Sequence, residues 1–439
     1  MTTSRRTVLK YSAGLAALSA FGRPAFSAVA SPIRIGVIYD FSGPFAAAGS
    51  QACAVGAQTA IDLVNERGGV LGKYKVEAVK VDSQSKADVA INEAERLISQ
   101  EKLDIVLGVY SSAHAVPLAE KLEQAKKILW ITTAISSAVF KGKNRQYVFR
   151  TNVHSDQYGE AAAKFVGDNA KAKLGLEPKD AKVAIIHEDG PYGVGCAEAG
   201  ERVSKELGIQ VVLKEAYSVT TADLSSLVTK LRRARADAIF HAGYNPDITL
   251  FLRQSREAGL KFKVLIGQGA GYSQLDKLRA TFKSDIDYFC NCDPAAGQLI
   301  NPSVMGPGVG DLLKIMVERF VKETNIKDVP PHCSMGFGGT WTLLNNVMPV
   351  AIEKFGGVDP EAIRKAALEV DIPQGGTVQG FGVKFPAPGT TMAGQNERSI
   401  CATMQYFPTA PEERVVGPAA FRTSDPVVPL PNTSPYAMT

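Results

Sequence analysis

Residues 105–116 read Ile-Val-Leu-Gly-Val-Tyr-Ser-Ser-Ala-His-Ala-Val, and they join three signals in a short space. Ile105 to Val109 is apolar enough for a buried strand. Gly108 permits a sharp turn, and a helical pattern begins near Ala113 and runs to Ala125. The first turn of a helix carries unpaired N–H donors and a partial positive charge, so it suits a carboxylate or another electron-rich group. Serine is also a favoured N-cap, and on this stretch alone a plain cap is the simpler reading. What surrounds the stretch decides between them.

The same alternation of strand and helix recurs on both sides. Ile33–Tyr39, Val76–Asp82 and Ile128–Thr132 read as further strands, with helices predicted over 49–67 and 87–99. The theme then repeats. Strands are predicted at 182–187, 211–217, 237–241 and 262–267, and helices at 192–207, 223–235 and 247–258. Strands alternating with helices at this spacing imply parallel sheets with right-handed crossovers. Two such blocks, broken near 147–156, predict an α/β chain of two doubly wound parallel-sheet lobes. At 439 residues the chain is too long for one core, which agrees.

After 287 the pattern changes. Helices at 311–322 and 340–355 lack matching strands, so the chain is expected to return to the first lobe. The expected division is 31–150 and 288–380 for the first lobe and 151–287 for the second. Late antiparallel strands follow within 381–407, near the hinge or second lobe. The tail 408–439 holds seven prolines and is expected to be a strap or partly disordered.

Residues 1–30 carry Arg5-Arg6, a short weakly apolar run and a small-x-small site at Ala28-Val29-Ala30. This reads as an export leader of the twin-arginine type, with Val8 where Phe is common. About eleven mildly apolar residues cannot span a bilayer. The mature chain is expected to begin near Ser31, soluble in the periplasm. Of the formal charge of +5, Arg5, Arg6, Lys10 and Arg23 supply four, leaving the mature part at +1. That near-neutrality argues against nucleic acid or an acidic membrane surface as partner.

The six cysteines are scattered. Export permits disulfides and an even count fits them, but Cys290 and Cys292 are too close for an easy mutual bridge. A metal site would need a second such pair or nearby histidines, and His332 beside Cys333 is the single hint. No cofactor is expected. There is no Gly-x-Ser-x-Gly elbow, no His-Glu-x-x-His and no phosphate loop. His187-Glu188-Asp189 could do acid/base work, but nothing nearby looks like a nucleophile, and a polar strand end is the simpler account.

What is present is a set of strand ends rich in hydroxyls, aromatics and glycines: 40–45, 110–112, 132–137, 189–193 and 243–246. In open α/β sheets, ligands bind outside the carboxyl ends of strands. Two lobes facing one another at those ends make a cleft that hinge closure can shut.

Ile33-Arg-Ile-Gly-Val-Ile-Tyr-Asp-Phe-Ser-Gly-Pro44, Ala60-Ile-Asp-Leu-Val-Asn65 and Gly68-Gly-Val-Leu-Gly72, in that order, resemble the opening of the solute-binding proteins of ABC importers, leucine/isoleucine/valine-binding type. Gly108–Ser112, Ile131–Ala134, Phe149-Arg-Thr151, Tyr192-Gly193 and Phe381–Phe385 fit the same pattern. The resemblance implies a type I periplasmic binding fold, with three crossovers as hinge and a membrane permease as partner. It also implies a ligand carboxylate held by Ser112 beside Ser111, with backbone groups of Tyr110 and Ala134 and the hydroxyl of Ser136 assisting. Tyr192 and Tyr244 would close from the second lobe, and Phe45 would serve as the aromatic lid. One position departs from the family. The acidic residue that holds the ligand ammonium falls at Gly269. The ligand is therefore expected to be an amino acid whose ammonium finds Asp189 or Asp247, or a related small acid or amide without an amino group. A sensor feeding a signalling partner is the alternative function, and an exported enzyme using His187, Glu188 or Cys196 is the reading against both.

Overall fold

The computed structural model describes residues 31–438; the leader predicted over 1–30 lies outside them. The first sheet takes β1 (Ile33–Tyr39), β2 (Val76–Asp82), β3 (Ile105–Gly108), β4 (Ile128–Ile131) and β5 (Val148–Arg150). Its order is β2-β1-β3-β4-β5, parallel throughout. β3 and β4 are buried at every position, as strands covered by helices on both faces must be. α1 (Gln51–Glu66), α2 (Ala87–Ser99) and α3 (Ser112–Gln124) are the crossovers.

The chain passes to the second lobe after β5. There α4 (Ser155–Asn169), β6 (Lys182–Glu188), α5 (Pro191–Glu206), β7 (Gln210–Tyr217), α6 (Ser225–Ala234), β8 (Ala238–Ala242), α7 (Asn245–Glu257), β9 (Val264–Gly267), α8 (Leu275–Phe282) and β10 (Cys290–Asp293) follow. The return to the first lobe starts after Asp293 and not at 288, because Cys290–Asp293 pairs with β9 in the second sheet. α9 (Val309–Thr324), α10 (Pro331–Thr342), α11 (Met348–Phe355) and α12 (Pro360–Glu369) then pack on the first lobe. Trp130 of β4 donates to Gly339 O of α10 at 2.9 Å.

Phe381–Phe385 yields only β12 (Val383–Lys384), paired with β11 (Asp371–Ile372) in a ribbon apart from both main sheets. The chain crosses a third time. β13 (Ala402–Tyr406) and β14 (Glu413–Gly417) then close the second sheet antiparallel, giving β14-β13-β10-β9-β8-β6-β7. The proline-rich tail is a strap. Leu430 N donates to Lys263 O, and Tyr436 is fully buried, stacked 5.4 Å from Phe262.

Each lobe is pinned by a close helix crossing. In the first lobe, a β-carbon on Gly56 of α1 would lie 2.1 Å from Cys333 O of α10, and one on Gly336 would lie 2.0 Å from Cys53 O. In the second, Gly159 of α4 meets Cys196 O of α5 at 2.3 Å in the same test. Glycine costs about 1 kcal/mol of helix propensity relative to alanine, so Gly56→Ala would ordinarily stabilise. Here the new methyl meets backbone that cannot step aside, and overpacking of this kind costs about 1–3 kcal/mol. Gly56→Ala is expected to lower the urea midpoint, a net loss of up to about 2 kcal/mol with an unchanged m-value.

Candidate ligand-binding cleft

A doubly wound sheet has one place where strand order reverses, and its loops part there to leave a crevice. In the first sheet that place lies between β1 and β3, and in the second between β6 and β8. Phe45 follows β1, Tyr110 follows β3, Tyr192 follows β6 and Tyr244 follows β8. Both lobes therefore deliver their aromatics from the two loops that flank the reversal. The rings meet across the cleft. Phe45 lies 4.7 Å from Tyr244, Tyr110 lies 6.4 Å from Tyr244, and Tyr192 packs on Tyr244 at 5.4 Å. Lys277 of the second lobe donates to Ala47 O of the first, and this contact holds the mouth shut. Between the rings a small cavity of about 30 Å³ remains, lined by Tyr110, Ser112, Tyr158, Tyr192, Tyr244 and Asp293, among others.

The first-lobe wall is set by a strained turn. Gly108 leaves β3 at φ 127°, where a β-carbon would strike Ile38 O at 2.3 Å. Val109 then sits at φ 62°, costly for a β-branched residue. Two hydrogen bonds hold it, Val109 N to Ile38 O and Ala134 N to Val109 O. The turn places Tyr110 and Ser111 in the cleft. The Tyr110 hydroxyl donates to Ala48 O at 2.6 Å. Ser111 is the N-cap of α3, yet its side chain makes no capping bond. Its Oγ is buried without a hydrogen bond of good geometry and faces the Tyr244 phenol. Ser112 Oγ accepts from the N–H groups of Ile135 and Ser136 at 3.2 and 3.0 Å, leaving its own proton to donate.

Two of the expected contact residues stand back from the cavity. The Ala134 N–H is committed to Val109, and its carbonyl accepts from Arg150 Nη1 at 2.9 Å. Ser136 Oγ accepts from Ala138 N in its own turn. Neither residue lines the cavity.

The second-lobe wall explains Gly269. A β-carbon there would lie 2.7 Å from the Tyr158 ring and 3.4 Å from the Asp293 carboxyl. The space an acidic side chain would need is already filled, and the carboxylate in it comes from the neighbouring strand. Asp293 ends β10, fully buried, and accepts from Tyr158 OH at 2.5 Å and from Ser273 Oγ. Among the described residues no lysine, arginine or histidine forms an ion pair with it. Burial pushes it up to about 7, against the pull of the Ser273 and Tyr158 hydrogen bonds. The two acids expected to stand in for position 269 do not. Asp189 is exposed. Asp247 caps α7, accepting from Tyr244 N at 3.0 Å and Tyr217 OH at 2.5 Å.

The cavity also takes Tyr158, Asp293 and His332, which carry no motif in the sequence beyond the His332-Cys333 pair weighed for a metal. His332 lines the cavity 5.5 Å from the Tyr110 ring, and burial pushes its pKa down to about 3, so it is neutral. Glu188, weighed for acid/base work, accepts from the N–H groups of Gly190 and Gly193 at 2.7 Å and so caps α5. All six cysteines are free and buried. Among the described residues no cluster of three or more His, Cys, Asp or Glu could hold a metal. Nor is any helix among them long and apolar enough to cross a membrane.

A family model described as periplasmic binding protein matches residues 32–382. Leu/Ile/Val-binding protein homolog 7 of Brucella suis biovar 1 (strain 1330) is 32% identical over 400 residues, covering 89% of this chain and 92% of that protein. Solved structures share the fold. The leucine-binding protein LivK of Thermotoga maritima MSB8 superposes with a TM-score of 0.71 at 21% identity, covering 87% of this chain and 97% of that one. A solute-binding protein of an R. palustris ABC transporter, in complex with benzoate, gives 0.69 at 17% identity, covering 90% and 98%.

Two stability measurements check this geometry. Losing a working N-cap serine costs about 1 kcal/mol. Ser111 makes no cap bond, so Ser111→Ala is expected to change the unfolding free energy by less than about 0.5 kcal/mol. For Asp293, the folded value near 7 lies above the unfolded value near 4. A carboxyl raised by folding contributes stability that is complete below about pH 4 and is lost as pH rises through about 7. Asp293→Asn is therefore expected to melt higher than the wild type at pH 8, by about 2 °C or more, and not at pH 4.

Proposed function

The chain belongs to the periplasmic binding protein family, and on that premise we propose that it is the extracytoplasmic solute-binding component of an ABC importer. In this reading it is exported by the twin-arginine route and takes an amino acid or a related small acid or amide between its lobes. The closed form then docks on the importer's permease.

The observation that supports this most is the meeting of loops from both strand-order reversals around one cavity, with Ser112 in its lining and Ser111 next to it as the N-cap of α3. A serine pair at a helix N-terminus suits the carboxylate end of a small solute. The relatives' names point the same way, since one is named a homolog of Leu/Ile/Val-binding protein and another is a complex with benzoate. A space of about 30 Å³ has room for a water molecule and not for a leucine side chain, so a solute enters when the lobes part.

A thermal-shift screen of the mature protein tests the reading, because a solute that binds only the folded chain must raise its melting temperature. The panel holds branched-chain and polar amino acids, their amides, and aliphatic and aromatic carboxylates. At least one is expected to stabilise the protein saturably without being consumed. Tyr244→Ala is expected to weaken that solute by about tenfold or more, since Tyr244 touches rings from both lobes. Consumption of a panel member would sink the transport reading in favour of an enzyme.

A further inference from the structure

We propose that the solute carries a compact cationic nitrogen, a protonated or alkylated amine, and that Asp293 receives it within a cage of tyrosine rings. The inference rests on the solute-binding reading and narrows its ligand class.

Three observations carry it. The first is the charge of the lining. Of the groups that border the cavity, Asp293 is the one carboxylate, His332 is held neutral, and no lysine or arginine takes part. A buried carboxylate without a cation is unfavourable, and a cation in the cavity would relieve it. The second is the state of the phenols. The hydroxyls of Tyr110, Tyr158 and Tyr192 already donate to Ala48 O, Asp293 and Gln268 O. Their protons are taken by protein acceptors, so what these residues offer a ligand is ring surface. Aromatic faces gathered around a small space attract organic cations, more so once desolvated. The third is how the acid is held. Tyr158 and Ser273 fix one oxygen each, and Asn291 donates to Ser273 Oγ at 2.9 Å while accepting from Gly269 N. A carboxylate oxygen accepts more than one donor, so both keep capacity for an N⁺–H or a close alkylammonium.

The titratable groups that act on or border Asp293 are Cys53 on α1, Tyr110 after β3, Tyr158 on α4, Cys196 on α5, Cys401 before β13, Tyr406 on β13 and Glu413 on β14, with His332 of α10 held neutral in the same cavity. None of them is cationic. The solute's cation is then the partner that ionises Asp293, and binding below about pH 7 releases a proton.

Isothermal titration of wild type and Asp293→Asn tests the assignment. The probes are L-leucine, L-valine, glycine betaine and choline, with 4-methylpentanoate, benzoate and isobutyramide as counterparts lacking a cationic nitrogen. At least one cationic probe is expected to bind the wild type and to lose about 100-fold in Asp293→Asn, with circular dichroism and melting confirming that the variant folds. Titration of that probe in two buffers of different ionisation enthalpy is expected to show proton release approaching one per site at pH 6 and none at pH 8.5. A carboxylate or amide probe that binds both proteins equally overturns the assignment and leaves the solute-binding reading standing. So does a cationic probe whose affinity and proton release are untouched by the substitution. Silence from the whole panel overturns both.

Discussion

Arg150 ends β5 fully buried, with no carboxylate beside it. Its Nε donates to Gln395 Oε1 at 2.6 Å and its Nη1 to the carbonyls of Ala134 and Ser136 at 2.9 Å, while the Phe140 ring lies 4.9 Å from the guanidinium carbon. Burial lowers its pKa to about 9, and it remains charged at neutral pH. A bare buried guanidinium is tolerable only where carbonyls surround it, so the segments that supply them are constrained together. Those segments are the loop after β4 and the third crossover at Gln395; the first crossover begins at Arg150 itself. Gln395 in turn donates to Asn152 O, and Asn396 donates to Thr151 O and Gly382 O. The hinge and the site loop thus share one cation.

That arrangement separates what is rigid from what moves. The loop 134–136 is anchored by Arg150 on one side and by Ser112 on the other, so the hydroxyl wall is preformed. Closure depends on lighter contacts. Two ring pairs join the lobes, Phe45–Tyr244 and Tyr110–Tyr244, each worth about 0.5–1.5 kcal/mol beyond area burial. The Lys277–Ala47 contact adds a partly exposed latch. A closed state held by a few kcal/mol is one that a solute's differential affinity can select.

Much of this was legible in the chain and some was not, for reasons particular to each segment. Ile33–Tyr39 and Val76–Asp82 were readable to the residue because their apolar content and flanking turns leave no competitor. The four cleft aromatics could be named because strand ends can be read without knowing strand order. Cys290–Asp293 carries no strand signal, since Cys-Asn-Cys-Asp has no strand-like apolar pattern and gains its strand from lying between β9 and β13, and Asp293 is hidden with it. The helix expected at 340–355 covers α11 and only the end of α10, because Pro331–Thr342 is buried nearly all round and rich in small residues, so it shows no amphipathic stripe. The tail strand β14 was hidden by the prolines around it, and Tyr436 by the lack of any local partner.

The departure at position 269 then has a physical account. The resemblance to leucine/isoleucine/valine-binding proteins implies an ammonium-binding acid after β9, and finding glycine there suggests a ligand without an amino group. That inference treats the site as a list of positions, whereas the cavity responds to where charge sits. Tyr158 from α4 occupies the space beside Gly269, and Asp293 presents its carboxylate from the next strand at 3.4 Å from where a side chain at 269 would begin. An acid on a strand end, braced by two hydroxyls, is held more firmly than one on a loop. It is also more deeply desolvated, which raises its pKa and costs the protein stability at neutral pH. A chain gains nothing from keeping such a group unpaired in its core, since a neutral side chain of the same shape would pack as well and cost less. Its place at the cavity bordered by the loops of both strand-order reversals fits the proposal that a cation enters there when the lobes part.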